Sequence, residues 1–563
     1  MNHKTLWKML SLTLALFMVA TGALAAPAYM NMDSELPIVK DGEKVAVTLI
    51  STQSDSYPSK PEDIWLWEYM RRAMNIDLKV EHVLASAAEE RLNLMMVSGE
   101  LPDILIGFNL DTTKLIRYGS VEKQLLNIAP YLTEEYAPNM LKVMEQFPEV
   151  RPLITAPDGG VYSVFDYIED IGYGPKLFVK EAWLNEKGIA LPETLDQFTE
   201  MLRAFKAENP DSVPLNGSVN GNDPRAYLMT ALGYVTMNGA GTQAALKDGN
   251  VVIPALDAGY VELLRLMKQY YDEGLISADF FTLEGTAVNA QMAEGKAVAS
   301  GTGAPFLQLP EKADFQQWAH AKPLSSAQND KAFYVNGATV NIGGMVFSAA
   351  TKNPELLVRI ADFFFSNKGG LYKWSGPWSQ SEDTLGMIGG WSFEEGSNVK
   401  YFFEDVASGK YPSTFAAICS TIAPWGGSET FGYRKDINPN DGSHGSVWLM
   451  QEMAGLETVG KVYRDDYGDD CWRMSREKNA MPYLTTEVYP NITYFTEDES
   501  IRINELRTII EPHVETETAK FITGVRPIEE FDSYMKELED MGAQELVDFY
   551  ARAYEAYQAN MEK

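Results

Sequence analysis

Cysteine is nearly missing from this 563-residue chain: Cys419 and Cys471 are the whole supply. Two thiols allow one disulfide at most, and pairing needs Cα atoms within about 7 Å, which sequence cannot show. A disulfide framework is excluded, so the fold rests on its hydrophobic core. Histidine is also scarce. His3, His82, His320, His444 and His513 are scattered, with no His-Glu-x-x-His pair and no Cys-x-x-Cys, so a zinc enzyme has no ligand set to build on. Basic residues number 47 against 79 acidic ones, a net charge of -32. Such a surface repels polyanions, which argues against a nucleic-acid partner and favours a neutral or cationic ligand. There is no Gly-x-x-x-x-Gly-Lys-Ser/Thr loop to cradle phosphate. The "PWGGSETFG" segment lacks the Gly-x-Ser-x-Gly spacing of a hydrolase elbow.

Long apolar runs are absent after the first thirty residues. The chain opens "MNHKTLWKMLSLTLALFMVATGALAAPAYM": Lys4 and Lys8, an uncharged apolar stretch from Met9 to Ala20, then an Ala-x-Ala site at Ala23 to Ala25. Residues 1–25 therefore read as an export signal, too short for a transmembrane helix, which needs about 20 apolar residues. An uncleaved anchor is the alternative. Residues 26–43 follow as a polar spacer.

What is present is strand and helix in alternation. "KVAVTLIST" (44–52) alternates as a strand, "DIWLWEYMRRAMN" as a helix, and "IDLKVEHVL" as a strand again. "AAEERLNLMMVSG" is a helix with acidic residues in its first turn and Gly99 at the expected left-handed cap, and "DILIG" is a short apolar strand. This β-α-β-α-β order is that of an α/β lobe with a parallel sheet. The pattern recurs: Thr194 and Gln197 form a capping box for a helix stopped by Pro210, and "YVELLRLMKQYYDEGL" ends at Gly274. "TVNIGGMVFSA" and "NPELLVRIADFFFSN" give a further strand and helix. From about 385 to 500 the chain is loop-rich and aromatic. Order returns where Phe531, Tyr534, Met535 and Leu538 form a helical stripe between Pro527 and Gly542.

Seven phrases in order, among them "MMVSGELPDILIG", "LFVKEAWLNEKGIALPETLDQFTEMLRAFKAENP", "LMKQYYDEGLISADFF" and "NPELLVRIADFFFSNKGG", resemble the extracellular solute-binding proteins of family 1, of the LipO type. The resemblance runs from about residue 44 to the end. It implies an α/β, two-lobed type II periplasmic-binding fold with a hinge and a central cleft. Lobe 1 is expected over 44–168 plus about 335–385, and lobe 2 over about 169–334 plus about 386–563. It further implies a monomeric, non-catalytic receptor that captures a carbohydrate, with an oligosaccharide expected, and hands it to ABC permease subunits. Contact with the membrane would come only through the permease or an uncleaved signal. No cofactor is implied. A secreted glycan-active hydrolase, or a receptor for another solute such as a peptide, remains the alternative.

The chain departs from the family in three places. After "KAENPD" it goes directly to "SVPLNG", where many relatives carry an acidic calcium loop. "SGPWSQSED" replaces a Gly-x-Glu-Gly-x-x-Tyr phrase, and Ala26 stands where lipoprotein relatives have cysteine. "DINPNDGSHGSV" imitates a calcium loop through Asp436, Asn438 and Asn440, but Gly442 falls one place late and Val447 replaces the closing Glu. No metal site is expected.

Sugar sites pair aromatic platforms with polar groups that bind hydroxyl edges. The stretch "YKWSGPWSQSED" (372–383), too polar for core and too broken for helix, places Trp374 and Trp378 where the family layout turns toward the cleft. Trp65 and Trp67 alternate at a helix start, so one is expected to face the core and Trp65 to be the ligand candidate. Carboxyl ends of parallel strands are the usual binding edge, which nominates Gln53, Asp55, Asn109 and Asp111. Trp425, Glu429 and Arg434 form a third cluster, and Asp166 follows "GGVYSVF". Each has a plain alternative: packing for the rings, solvated loop caps for the polar groups.

Overall fold

The computed structural model describes residues 26–169, 173–309, 311–336, 340–393, 399–400, 409–411, 414–424, 430–435, 447–453, 455, 472–485 and 487–561. Its largest sheet has six strands: β1 (Ala46–Gln53), β2 (Asp77–Leu84), β3 (Ile104–Ile106), β4 (Val164–Ile168), β5 (Val340–Phe347) and β6 (Gly432–Arg434). Their spatial order is β6-β4-β5-β3-β1-β2. β1 pairs in parallel with β2 and β3, β6 in parallel with β4, and β5 runs antiparallel between β3 and β4. Five carboxyl ends therefore share one edge, together with the start of β5.

Why β3 is a bare Ile-Leu-Ile run follows from its place inside the sheet. Ile104 and Ile106 enter one core while Leu105 enters another on the opposite face, and a strand covered on both sides has no polar face to alternate. The first core also takes Trp65, Trp67 and Tyr69 of helix α1 (Trp65–Ala73), whereas helix α2 (Ala88–Ser98) covers the other face through Leu92, Met95 and Met96. Gly99 caps α2 as expected, with φ +71° and its N–H on the Met95 carbonyl at 2.9 Å.

A second core gathers residues from Tyr173 to Leu324, Tyr334, Ala480 and Ile503 to Leu546. Beside it lies a four-stranded sheet in the order 319–320, 178–179, 299–300, 215–216. The Thr194 box is fully formed, its side chain accepting from Gln197 N–H while Gln197 accepts at the cap. The chain passes between the cores after Tyr167, returns before Val340, and passes again between Leu484 and Ile492. Strands Tyr173–Gly174, Tyr334–Asn336 and Leu484–Thr485 from these passages pair into a small sheet beside the second core. This is the two-lobed α/β fold.

Two segments lie elsewhere than expected. Met30, Ile38 and Val39 of the supposed spacer are buried in the first core, where a Met30–Val39 bridge pins them. Residues 414–424 and 430–435, assigned above to lobe 2, pack in lobe 1: Ile422, Ala423, Phe431 and Tyr433 join the first core and β6 extends its sheet. Helix α4 (Glu497–Ile522), long and carrying Pro512, starts within the stretch read as loop. A Thr496–Glu499 capping box opens it, and Ile503, Leu506, Ile510 and Val514 are its buried stripe.

Candidate ligand site

The carboxyl edge of the large sheet is built by close backbone approaches that two glycines permit. At Gly343 (φ +79°) β5 bulges, and a Cβ there would lie 1.9 Å from the Leu110 carbonyl oxygen. Leu110 N–H instead reaches the Gly343 carbonyl at 3.0 Å, which fixes the loop after β3 and holds Asn109 at φ +48°. Gly370 does the same for helix α3 (Asn367–Ser375): a Cβ there would stand 2.0 Å from the Tyr433 carbonyl oxygen. The helix thus lies directly on β6 and delivers Lys373 and Trp374 from its last turn to the sheet edge.

These elements enclose a cavity of about 400 Å³ lined by Asn109, Asp166, Ile168, Asn341, Ile342, Lys373, Trp374, Thr430 and Arg434. Asp166 and Lys373, with side chains 2 % and 3 % exposed, pair at 3.3 Å, and the ammonium also donates to the Phe431 carbonyl. Burial pushes the Asp166 carboxyl above the ordinary carboxylate range, while Lys373, and next Arg434, pull it back. The Arg434 guanidinium sits 5.0 Å from the centre of the Trp374 ring, within reach of a cation–π attraction. Trp374 is half-buried, whereas Asn109 and Asn341 are exposed. The result is an aromatic wall and a cation, two open amides, and a charge pair sealed into the floor.

Four of the residues nominated from sequence meet here: Asn109, Asp166, Trp374 and Arg434. The stretch containing Trp374 is helical as far as Ser375 and ends at Gly376 with φ +70°, so the expectation of a broken coil fails at its start. Trp378 does not line the cavity; it stacks on buried Trp391, centroids 6.2 Å apart and planes at 22°. Trp65 is corrected outright. It is 0 % exposed, stacks on Tyr69 at 5.0 Å, and its indole N–H donates to the Asp383 carbonyl at 2.7 Å, leaving no face for a ligand. Trp67 is buried as well and donates to His82 Nε2 at 2.9 Å, so both rings serve the core.

Gln53 folds back to accept from the Ser59 N–H at 2.8 Å. Asp55 accepts from the Ser86 hydroxyl at 2.5 Å, and Asp111 caps a short helix by accepting from Lys114 N–H at 2.8 Å. All three are engaged in loop construction away from the cavity lining. Trp425 and Glu429 lie outside the described residues, as do Cys471 and segment 436–446; Cys419 is buried. Sequence reasoning missed Lys373, Asn341 and Thr430. The first two carried a signal: a lysine beside a tryptophan in an apolar helix, and an asparagine interrupting the apolar strand "TVNIGGMVF". Among the described residues no cluster of three or more His, Cys, Asp or Glu could hold a metal, and no helix is long and apolar enough to cross a membrane.

Residues 53–371 match the family of bacterial extracellular solute-binding proteins. The chain belongs to that family. Among curated relatives of this solute-binding protein is the fructooligosaccharide ABC transporter substrate-binding protein FusA of Streptococcus pneumoniae serotype 4. It is 23 % identical over 537 residues, covering 92 % of this chain and 91 % of FusA. Lipoprotein LipO of Bacillus subtilis is 27 % identical over 292 residues, 48 % of this chain and 52 % of LipO. The solved structure of FusA in complex with kestose superposes with a TM-score of 0.65 at 21 % identity, covering 92 % of this chain and all of that one. At that identity the match speaks for the fold.

Proposed function

We propose that this solute-binding protein captures an oligosaccharide outside the cytoplasm in the cavity beside Trp374 and delivers it to an ABC permease. The observation that carries the reading is the half-buried Trp374 ring, backed by Arg434 and flanked by the exposed amides of Asn109 and Asn341. A sugar ring offers a weakly apolar C–H face to an indole and hydroxyl edges to amide and guanidinium groups. The cavity falls within the range of about 300–1,000 Å³ usual for small-molecule sites. Lys373 is held by Asp166 in the floor, and the lining also carries Arg434, donors that suit the oxygen-rich edges of a glycan. The fructooligosaccharide named for FusA and the kestose in its structure agree with this class. The described lining supplies one carboxylate, already paired, where glycoside hydrolysis needs two at a set separation. Binding with lobe closure is therefore the activity expected of the mature chain.

The test is a tryptophan-fluorescence titration of residues 26–563 against kestose, longer fructans, galacturonan fragments, host glycans and a peptide mixture. One glycan class should give a saturable shift, weakened at least tenfold in Trp374→Ala and little changed in Trp378→Ala. Saturable binding untouched by Trp374→Ala would move the site elsewhere. A response to peptides alone would end the carbohydrate reading, and release of shortened sugars would establish an enzyme.

A further inference from the structure

The passages between the lobes run between two hollows. Asp166 pairs with Asn341 and Tyr167 with Val340 across β4 and β5, and neighbouring strand residues point to opposite faces. Asp166 and Asn341 line the ligand cavity, while Val340 lines a second cavity of about 710 Å³ that takes residues from both lobes, among them Leu153 and Thr236. The C-terminal helix α5 (Ala543–Met561) lies along this second cavity and contributes Tyr550 and Tyr557.

Helix α5 is fastened firmly at one end. Leu546 is buried in the second core, Glu545 pairs with Arg502 at 2.8 Å, and Arg552 pairs with Glu499 at 3.2 Å, both partners on α4. Its far end reaches the other lobe, where Tyr557 packs against the first core. Tyr554 stacks on Tyr557 and on Tyr489, with centroids 6.3 and 5.7 Å apart, and Tyr489 lies on the passage between Leu484 and Ile492. One rigid helix thus touches both lobes on the face of the hinge opposite the ligand cavity.

We propose that the last turns of α5 act as a strap that resists closure. If the lobes hinge about strands lying between the two hollows, closing the ligand side spreads the opposite side, and the Tyr557 contact must slide or break. The strap therefore weights the ligand-free population toward the open state, and apparent affinity falls by the fraction of closed, binding-competent molecules. This rests on the two-lobed hinge and not on the class of ligand.

The experiment is small-angle X-ray scattering of ligand-free residues 26–563 beside Tyr557→Ala, Tyr557→Phe and a chain ending at Arg552. Tyr557→Ala and the shortened chain should show a smaller radius of gyration, with Tyr557→Phe unchanged. Kestose, used as the titrant, should bind them about three- to tenfold more tightly than the parent. Should the shortened chain fail to fold, Tyr557→Ala decides alone. An unchanged or larger radius in Tyr557→Ala overturns the strap whether or not kestose binds, and so does weaker binding with the radius reduced.

Discussion

Replacing Lys373 by Met would leave the Asp166 carboxylate buried without its partner. Both side chains are almost wholly enclosed and pair at 3.3 Å, and removing one member of such a pair costs about 3–5 kcal/mol through the stranded charge. The penalty must depend on pH. Burial already places the Asp166 carboxyl above its ordinary value, and Lys373 is the principal group holding it down. Without that lysine it rises further. A group whose folded pKa is raised favours folding below its unfolded pKa, about 3.9 for Asp, and that contribution is lost as pH rises through the folded value. Lys373→Met should therefore be severely destabilised at pH 7, and the deficit should shrink as pH falls toward 4. Urea melts at pH 7 and pH 4.5, followed by the fluorescence of the Trp-rich first core, measure both. With m above about 3 kcal/mol/M for a chain of this size, the midpoint at pH 7 should drop by an amount no larger than about 1–1.7 M. Adding Asp166→Asn should recover most of the loss, because the unpaired charge is then gone. Equal losses at both pH values, or no recovery in the double variant, would refute the reading of these residues as a sealed ion pair in the cavity floor.

Gly370→Ala puts a methyl where the Tyr433 carbonyl oxygen stands 2.0 Å away; thermal melting should fall by the equivalent of about 1–3 kcal/mol, with glycan binding weakened as Trp374 shifts. Trp65→Ala, which empties a fully buried site, should cost about 3–5 kcal/mol in urea titration while ligand affinity in the folded fraction stays within twofold. Asp362 is buried beside Asn139 and Met140, with Arg359 at 3.8 Å, and desolvation pushes its carboxyl up to about 7. Stability contributed by its protonated form is thus lost as pH rises from about 4 to about 7, roughly 4 kcal/mol at 1.36 kcal/mol per pH unit. Asp362→Asn should flatten that decline in melts run at pH 5 and pH 7.5.

Local order was legible because its causes are local. The alternation in "KVAVTLIST", the Thr194–Gln197 box and the glycine after "AAEERLNLMMVS" each act within a few residues, and each appears where expected. Their sequence of strand and helix was enough for an α/β fold, and the ordered phrases for the family. Membership of a site is not local. Trp65 and Trp374 look alike in sequence, yet α1 turns the first into the core while α3 presents the second at the sheet edge. What separates them is the approach of α3 to β6 through Gly370, a contact between residues more than sixty positions apart. Lys373 escaped notice for the same reason, since its partner Asp166 lies 207 residues earlier. The return of residues 430–435 to lobe 1 depends on β6 pairing with β4, a choice made by the hydrogen-bonding edge that β4 leaves open. Sequence by itself determined the elements that carry local signals, their caps and the kind of protein. Tertiary structure alone decided which charges are buried together and which indole lines the cavity at the sheet edge, because those depend on distances between segments that the chain's order does not fix.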